Sequence, residues 1–432
     1  MFGRGRRRQG NRTWGQRLVL VVNASVVLAC FVSAFGVRYA NAKANSIRRV
    51  VIEPRPTRST VPPTVAVGSP GTGQPAGATT SGSASAAASA PGSEPARGRA
   101  LNFLLVGSDS RACIDPNAED AGQFLAKADT GNQSDTIMVL RVDPAADRAA
   151  ILSFPRDLFV KLAGSGRSAK INAAFAGGDA TRLIQTIEGN FGVPIDHYVQ
   201  IDFCAFKSIV DAVGGVKIAF EYPVRDTQSG LSVPEAGCVQ LDGTNALRYA
   251  RSRSFEWSTN GGRAWIDDGT ADRGRIRRQQ DFIKRVMQKA IDKGARRPQV
   301  AAKLLDAALE HVKLDSELQV SSLLDLAAQL RAFDPATVRT FRIDGVDAWV
   351  GDQLVIRPSL SNAGTQQILA LFRGEAPLSA PAPSGPGTTP PAEAVTTVAE
   401  AGARIAPSTT AAAPLPGEDE VGYLPPDDPA CR

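Results

Sequence analysis

Within the stretch from Leu241 to Gln280, the segments LDGTNALRYARSRS and DRGRIRRQQ carry seven arginines: Arg248, Arg251, Arg253, Arg273, Arg275, Arg277 and Arg278. Guanidinium forks are always charged and grip phosphate or carboxylate bidentately, so this density points to an anionic ligand. If Arg251 and Arg253 lie on an extended segment, both face the same side of it. If the segment from Gly274 is helical, Arg275 and Gln279 share a face one turn apart. For any single arginine the alternative is a surface ion pair.

These groups need a scaffold, and the apolar runs supply one. LNFLLVG reads as a strand that ends at Asp109 and Arg111, TIMVLRV as a strand entered through Ser134 and Asp135, and AAILSF as a strand left through Arg156 and Asp157. Strand ends are a usual place for chemistry in α/β proteins. Turn chemistry is the alternative for Asp109 and Asp135, since GSDS and QSDT both resemble turns. Further on, DATRLIQTIEGNF and FCAFKSIVDAV read as helices, the latter closed by Gly214 and Gly215, while DHYVQID and VKIAF read as strands. Residues 275–331 read as almost wholly helical, before strands return at VRTFRID and WVGDQLVI. The alternation predicts a layered α/β fold with a central mixed β-sheet flanked by helices.

The rest of the chain bounds the setting. Of 432 residues, segments 53–100 and 375–432 are rich in Pro, Ala, Ser, Thr and Gly, too poor in large apolar side chains to offset the entropy of ordering them. One folded block, 101–374, remains. The net charge of +6 suits an anionic partner without choosing between nucleic acid, a membrane surface and a phosphorylated substrate. An arginine-rich start, residues 1–17, precedes twenty uncharged residues, Leu18 to Val37, enough to span about 30 Å as a helix. The basic flank places the remainder outside the cytoplasm. Ala40 and Ala42 offer a cleavage site, but the long apolar run favours a retained anchor, with 38–100 as a flexible linker and 375–432 as a disordered tail. Export makes disulfides durable. Cys204 with Cys238 is the expected pair because both flank core elements, with Cys113 to Cys431 as a second.

In this order, VGSDSR, SDTIMVLRVDP, LSFPRDLFV, KINAAF, VDAVGGV, LDGTNALRYARSR and DRGRIRRQQ resemble the LytR-CpsA-Psr family across almost the whole block. The resemblance implies a membrane-anchored phosphotransferase that moves a glycopolymer from a polyprenyl diphosphate carrier to peptidoglycan. It further implies that Asp109 and Asp135 hold a divalent metal, Mg2+ or Mn2+, and that Arg156, Arg251, Arg253, Arg275 and Gln279 hold the diphosphate. Asp272 matches a position near the reacting groups and is a candidate base. The eighteen residues between Arg253 and Asp272 and the loop 112–133 are longer than the family minimum.

The chemistry agrees with that implication: positioned cations relieve the crowded charge of a diphosphate under attack. Arginine cannot act as base, so the acceptor proton goes to a carboxylate, to water or to the diphosphate. Two histidines, His197 and His311, lie in elements that read as structural, and there is no G-x-S-x-G or Walker A motif. Two other classes stay open: a DNA-binding regulator, opposed by export and the lack of a helix-turn-helix pattern, and a non-catalytic lipid- or wall-binding scaffold. Nucleic acid is not an expected partner.

Overall fold

The computed structural model describes residues 48–52, 98–108, 117, 134–309, 312–330, 332–378 and 423–431. The expected anchor, Asp109, Cys113 and His311 lie outside the described residues. The first strands are β1 (Arg48–Val50), β2 (Leu101–Ser108), β3 (Ser134–Asp143), β4 (Arg148–Ser153), β5 (Phe159–Lys161), β6 (Ser168–Lys170), β7 (His197–Ile201) and β8 (Val216–Phe220). Then come β9 (Val224–Asp226), β10 (Leu231–Val233), β11 (Gly237–Leu241), β12 (Glu256–Trp257), β13 (Ile266–Asp267), β14 (Lys313–Asp315), β15 (Arg339–Arg342), β16 (Gly345–Val350) and β17 (Gln353–Pro358). The helices are α1 (Ala180–Phe191), α2 (Phe203–Ala212), α3 (Gly243–Arg251), α4 (Ala271–Asp292), α5 (Pro298–Leu309), α6 (Val320–Gln329) and α7 (Ala363–Arg373).

Seven strands form the central sheet in the order β1-β14-β7-β2-β3-β4-β15. β2 pairs parallel with β7 and antiparallel with β3, so the sheet is mixed, as the alternation of elements predicts. Its central strands carry long apolar runs because both faces are covered. Leu104 and Val106 of β2 join the core built with Leu183 and Ile187 of α1 and Ile368 and Leu369 of α7. Phe103, one residue out of phase, faces the opposite core with Leu309, Leu314 and Leu318. A separate cluster under α3 and α4 gathers Ile218, Phe220, Tyr249, Phe255 and Phe282.

Four expectations are corrected. Residues 48–50, assigned to the linker, form the edge strand β1 against β14, because Val50 and Ile52 pack on the core and the Arg49 guanidinium donates to the carbonyls of Asp315 and Leu318. The stretch 275–331 is interrupted by β14, which pairs antiparallel with β7. The tail is not uniformly disordered: residues 423–431 return to the body, where Tyr423 stacks on Phe255 and Trp257 with ring centroids 5.7 and 5.8 Å apart. Cys431 there forms a disulfide with Cys238, Cα atoms 5.5 Å apart, so both expected pairings, Cys204–Cys238 and Cys113–Cys431, are wrong. Cys238 stands on β11, which pairs with β8 at the margin where the C-terminal residues dock, whereas Cys204 begins α2 and is disulfide-bonded to a residue other than Cys238. Among the described residues no helix is long and apolar enough to cross a membrane.

Candidate active site

Four elements deliver the charged groups. β3 starts at Ser134, whose hydroxyl donates to the carbonyls of Gly107 and Thr136 and so fixes the strand entry that carries Asp135. The turn after β4 supplies Arg156. α3 is capped by Asp242 and ends at Arg251; at Ser252 the chain has left the helix (φ −62°, ψ 125°) and Arg253 follows. The extended relation expected of Arg251 and Arg253 is therefore replaced by a helix end. α3 approaches α2 closely at Gly243, where a Cβ would lie 2.6 Å from the Lys207 carbonyl oxygen. α4 opens at Ala271, whose positive φ of 45° turns the chain into the helix carrying Asp272, Arg275 and Gln279. Gly274 is required in that first turn, since any Cβ would collide with the Thr270 hydroxyl.

The side chains converge on Asp135. Arg156 Nη1 donates to Asp135 Oδ1 at 2.6 Å, and Arg253 Nη2 lies 3.2 Å from the same oxygen. Arg275 Nη2 donates to the Asp135 carbonyl at 2.8 Å and lies 2.7 Å from Asp272 Oδ1, which Arg253 Nε also meets at 3.1 Å. Gln279 Nε2 donates to Thr136 Oγ1 at 3.1 Å and to the Ala250 carbonyl at 2.9 Å. Arg251 lies over the Phe203 ring, 4.7 Å from its centroid. Asp157 is taken by Lys170 at 2.7 Å and by Arg156 at 3.4 Å, which makes it structural.

Electrostatics follow from this packing. Burial would raise the Asp135 carboxyl, but Arg275, Arg253 and Arg156 hold it down at about 2, so it is ionised at any working pH. Burial pulls Arg275 down to about 10, against the attraction of Asp272, and it stays charged. Asp135 in turn raises Arg156 against its own burial.

Behind the charged mouth lies a cavity of about 210 Å3. Arg251, Arg253, Arg275, Gln279 and Asp135 line one part of it; Met138, Phe203, Phe206, Leu247, Phe282 and Ile283 line the rest. Among the described residues, Arg275 Nε and Gln279 Oε1 are buried without a hydrogen-bond partner. The site thus fits an amphiphile: an anionic head among arginines and an apolar tail against aromatic and aliphatic walls.

Of the described candidates, Asp135, Arg251, Arg253, Arg275 and Gln279 line the cavity, while Arg156 and Asp272 reach it through their ion pairs with Asp135, Arg253 and Arg275; Asp109 follows β2, whose Gly107 and Ser108 line the cavity, but lies outside the described residues. Sequence reasoning missed Phe203 beneath Arg251, and Thr136 beneath Gln279. Phe203 opens α2, separated by one residue from the end of β7 at Ile201, near a strand end as Asp135 and Arg156 are. Arg278, counted in the arginine-dense stretch but not among the expected diphosphate ligands, donates from Nη1 to Asp268 at 2.8 Å and from Nη2 to the Ser252 carbonyl at 2.8 Å, tying the 254–270 insert to α4.

Of the two carboxylates expected to hold a metal, Asp135 is engaged through Oδ1 by Arg156 and Arg253, and Asp109 lies outside the described residues. Asp135 is anionic, its Oδ1 is held by arginines, and it stands at a mouth suited to phosphate oxygens, the few-carboxylate donor set that Mg2+ favours. Among the described residues no group of three or more His, Cys, Asp or Glu side chains could hold a metal unaided.

Comparison with known proteins gives a consistent picture. The LytR_cpsA_psr family matches residues 75–369. The chain is 36% identical over 205 residues to "Probable cell wall biosynthesis protein LcpB" of Corynebacterium glutamicum, covering 47% of this chain and 45% of that one. It therefore spans less than half the length of that relative. It is 32% identical over 231 residues to the polyisoprenyl-teichoic acid--peptidoglycan teichoic acid transferase TagU of Halalkalibacterium halodurans, covering 52% of this chain and 70% of that one. Among solved structures, B. subtilis TagV superimposes with a TM-score of 0.50 at 25% identity, over 65% of this chain and 99% of that one.

Proposed function

The chain belongs to the LytR-CpsA-Psr family, and on that premise we propose that it is a cell-wall phosphotransferase. It moves a glycopolymer from a polyprenyl diphosphate carrier to a peptidoglycan hydroxyl, forming a phosphodiester and releasing polyprenyl phosphate. The observation that carries this reading is a cavity lined by both arginines and apolar side chains, which suits a diphosphate joined to an isoprenoid better than a nucleic acid or a soluble sugar phosphate. The transferase name of the Halalkalibacterium relative supports it.

In the reaction the acceptor hydroxyl oxygen forms a bond to the glycan-bearing phosphorus, and the bond from that phosphorus to the bridging oxygen breaks. The electron pair leaves with polyprenyl phosphate. Arg253 and Arg275, fixed on Asp272, take non-bridging oxygens and offset the charge that grows on the leaving phosphate. Arg156 and Arg251 flank the same head group. The acceptor proton passes to water, to the leaving phosphate or to Asp272. Asp135, with Asp109, would hold Mg2+ or Mn2+, which when bound adds Lewis-acid stabilisation of the phosphate oxygens. The domain works outside the cytoplasm, tethered to the cell membrane by the single span 18–37.

The test is direct. The purified protein, given Mg2+, a polyprenyl diphosphate glycan and peptidoglycan fragments, should yield a glycan-wall phosphodiester and polyprenyl phosphate, detected by mass spectrometry. EDTA or Asp135→Ala should lower turnover by orders of magnitude while leaving lipid binding through the arginines. Binding without turnover in the unaltered protein would mark a scaffold instead.

A further inference from the structure

β9 ends in a carboxylate that holds the loop bearing Arg253 through backbone N–H groups and the Ser252 hydroxyl. Asp226 is fully buried, and among the described residues no cation pairs with it. Its Oδ2 accepts from the Ser252 hydroxyl at 2.6 Å and from the backbone N–H groups of Arg253 and Ser254, each at 2.9 Å. Its Oδ1 accepts from the N–H groups of Gln228 at 2.7 Å and Ser229 at 3.0 Å. A carboxylate taken from water is costly unless donors replace its hydration, and these donors do so without a counter-charge.

The owners of those donors give the arrangement its meaning. Gln228 and Ser229 line the cavity. Arg253 bridges Asp135 and Asp272. The chain leaves α3 at Ser252, so the N–H groups beyond it have no helical acceptor and take Asp226 instead. We propose that Asp226 is the positioning residue for diphosphate binding: it sets Arg253 and ties that arginine to the cavity wall at Gln228 and Ser229. This rests on the cavity taking a polyprenyl diphosphate. Asp226→Asn exchanges one acceptor oxygen for a donor group, so one of the two loops loses its acceptor while the side chain keeps its size.

A double-mutant cycle on the full chain tests the role, with farnesyl diphosphate as probe and binding read by calorimetry. Asp226→Asn and Arg253→Lys should each weaken binding roughly tenfold, and the double variant should be within about twofold of Arg253→Lys alone, because Asp226 acts through that arginine. A merely structural Asp226 gives losses that multiply to about a hundredfold, which overturns the proposal. So does unchanged binding in a folded Asp226→Asn protein. Should Asp226→Asn fail to fold, Ser252→Ala takes its place in the cycle: a smaller loss that vanishes in the Arg253→Lys background supports the role, and an additive or absent one overturns it. No farnesyl diphosphate binding by the unaltered protein overturns the reading of the cavity, and the role of Asp226 with it. Binding followed by additive losses overturns the role of Asp226 alone.

Discussion

Arg275 and Arg278 stand three residues apart on α4 and are both buried, with 2% and 0% exposure, yet their surroundings have opposite charge balance. Arg278 is matched one to one: Asp268 at 2.8 Å, itself without exposure, the Ser252 carbonyl, and the Phe255 ring with its centroid 4.4 Å away. Around Arg275, among the described residues, the four cations Arg156, Arg253, Arg275 and Lys170 share the three aspartates Asp135, Asp157 and Asp272. The first arrangement is closed; the second is completed by an anion. A buried arginine therefore declares its role by the number of carboxylates around it, and neither its burial nor its place in a motif does so.

Substituting the two arginines separately should break them apart. Arg275→Ala should cut transfer roughly a hundred- to thousandfold, about 3–4 kcal/mol of transition-state stabilisation, with a smaller loss of stability. Arg278→Ala leaves Asp268 buried and uncompensated and should destabilise the fold by about 3–5 kcal/mol in urea titrations. Equal losses of activity per unit of stability in both variants would erase the distinction.

The next effect tests the closed side alone. The Cys238–Cys431 disulfide holds the segment whose Tyr423 stacks on Phe255, the ring beside Arg278. Cys431→Ser should cost about 2–4 kcal/mol, the usual range for a native bridge, and leave the transfer rate of the folded protein unchanged. A loss of rate at full folding would mean that the docked segment serves the open side too.

On the open side a gentler change suffices. Arg251→Lys keeps the charge but loses the fork and the stacking on Phe203, and prenyl diphosphate affinity should fall about tenfold, near 1.4 kcal/mol. Unchanged affinity would place Arg251 outside the head-group site.

These contrasts mark how far the sequence carries. Asp135 and Arg156 were legible because apolar runs end beside them, and a strand end is a local property. Arg275 and Gln279 were legible through helical spacing, and both line the cavity. The same spacing could not separate Arg275 from Arg278, since the partner of Arg278, Asp268, lies in an insert whose path only the tertiary fold decides. Nor could it pair Cys238 with Cys431, 193 residues apart and joined through a segment whose composition promised no docking. Long-range choices of this kind depend on which surfaces meet, and local pattern is silent about that.

The smallest predicted effect concerns the acid limit of the open side. Asp135 titrates at about 2 when folded, against 3.8 for an unperturbed aspartate, because Arg275, Arg253 and Arg156 outweigh its burial. A depressed acid stabilises the fold above its unfolded value and loses that contribution as the pH falls through the folded one. The contribution is thus complete above about pH 5 and gone near pH 1–2. With 46% of the side chain exposed, solvent screening leaves about 1 kcal/mol or less of the nominal shift. Urea titrations of the unaltered protein and Asp135→Asn should therefore differ by a gap that is constant from pH 7 to 5 and closes as the pH approaches 2. A gap that ignores pH would show that the three arginines do not act on this carboxylate, and the surplus of positive charge that sets the open side apart from Arg278 would have to be assigned elsewhere.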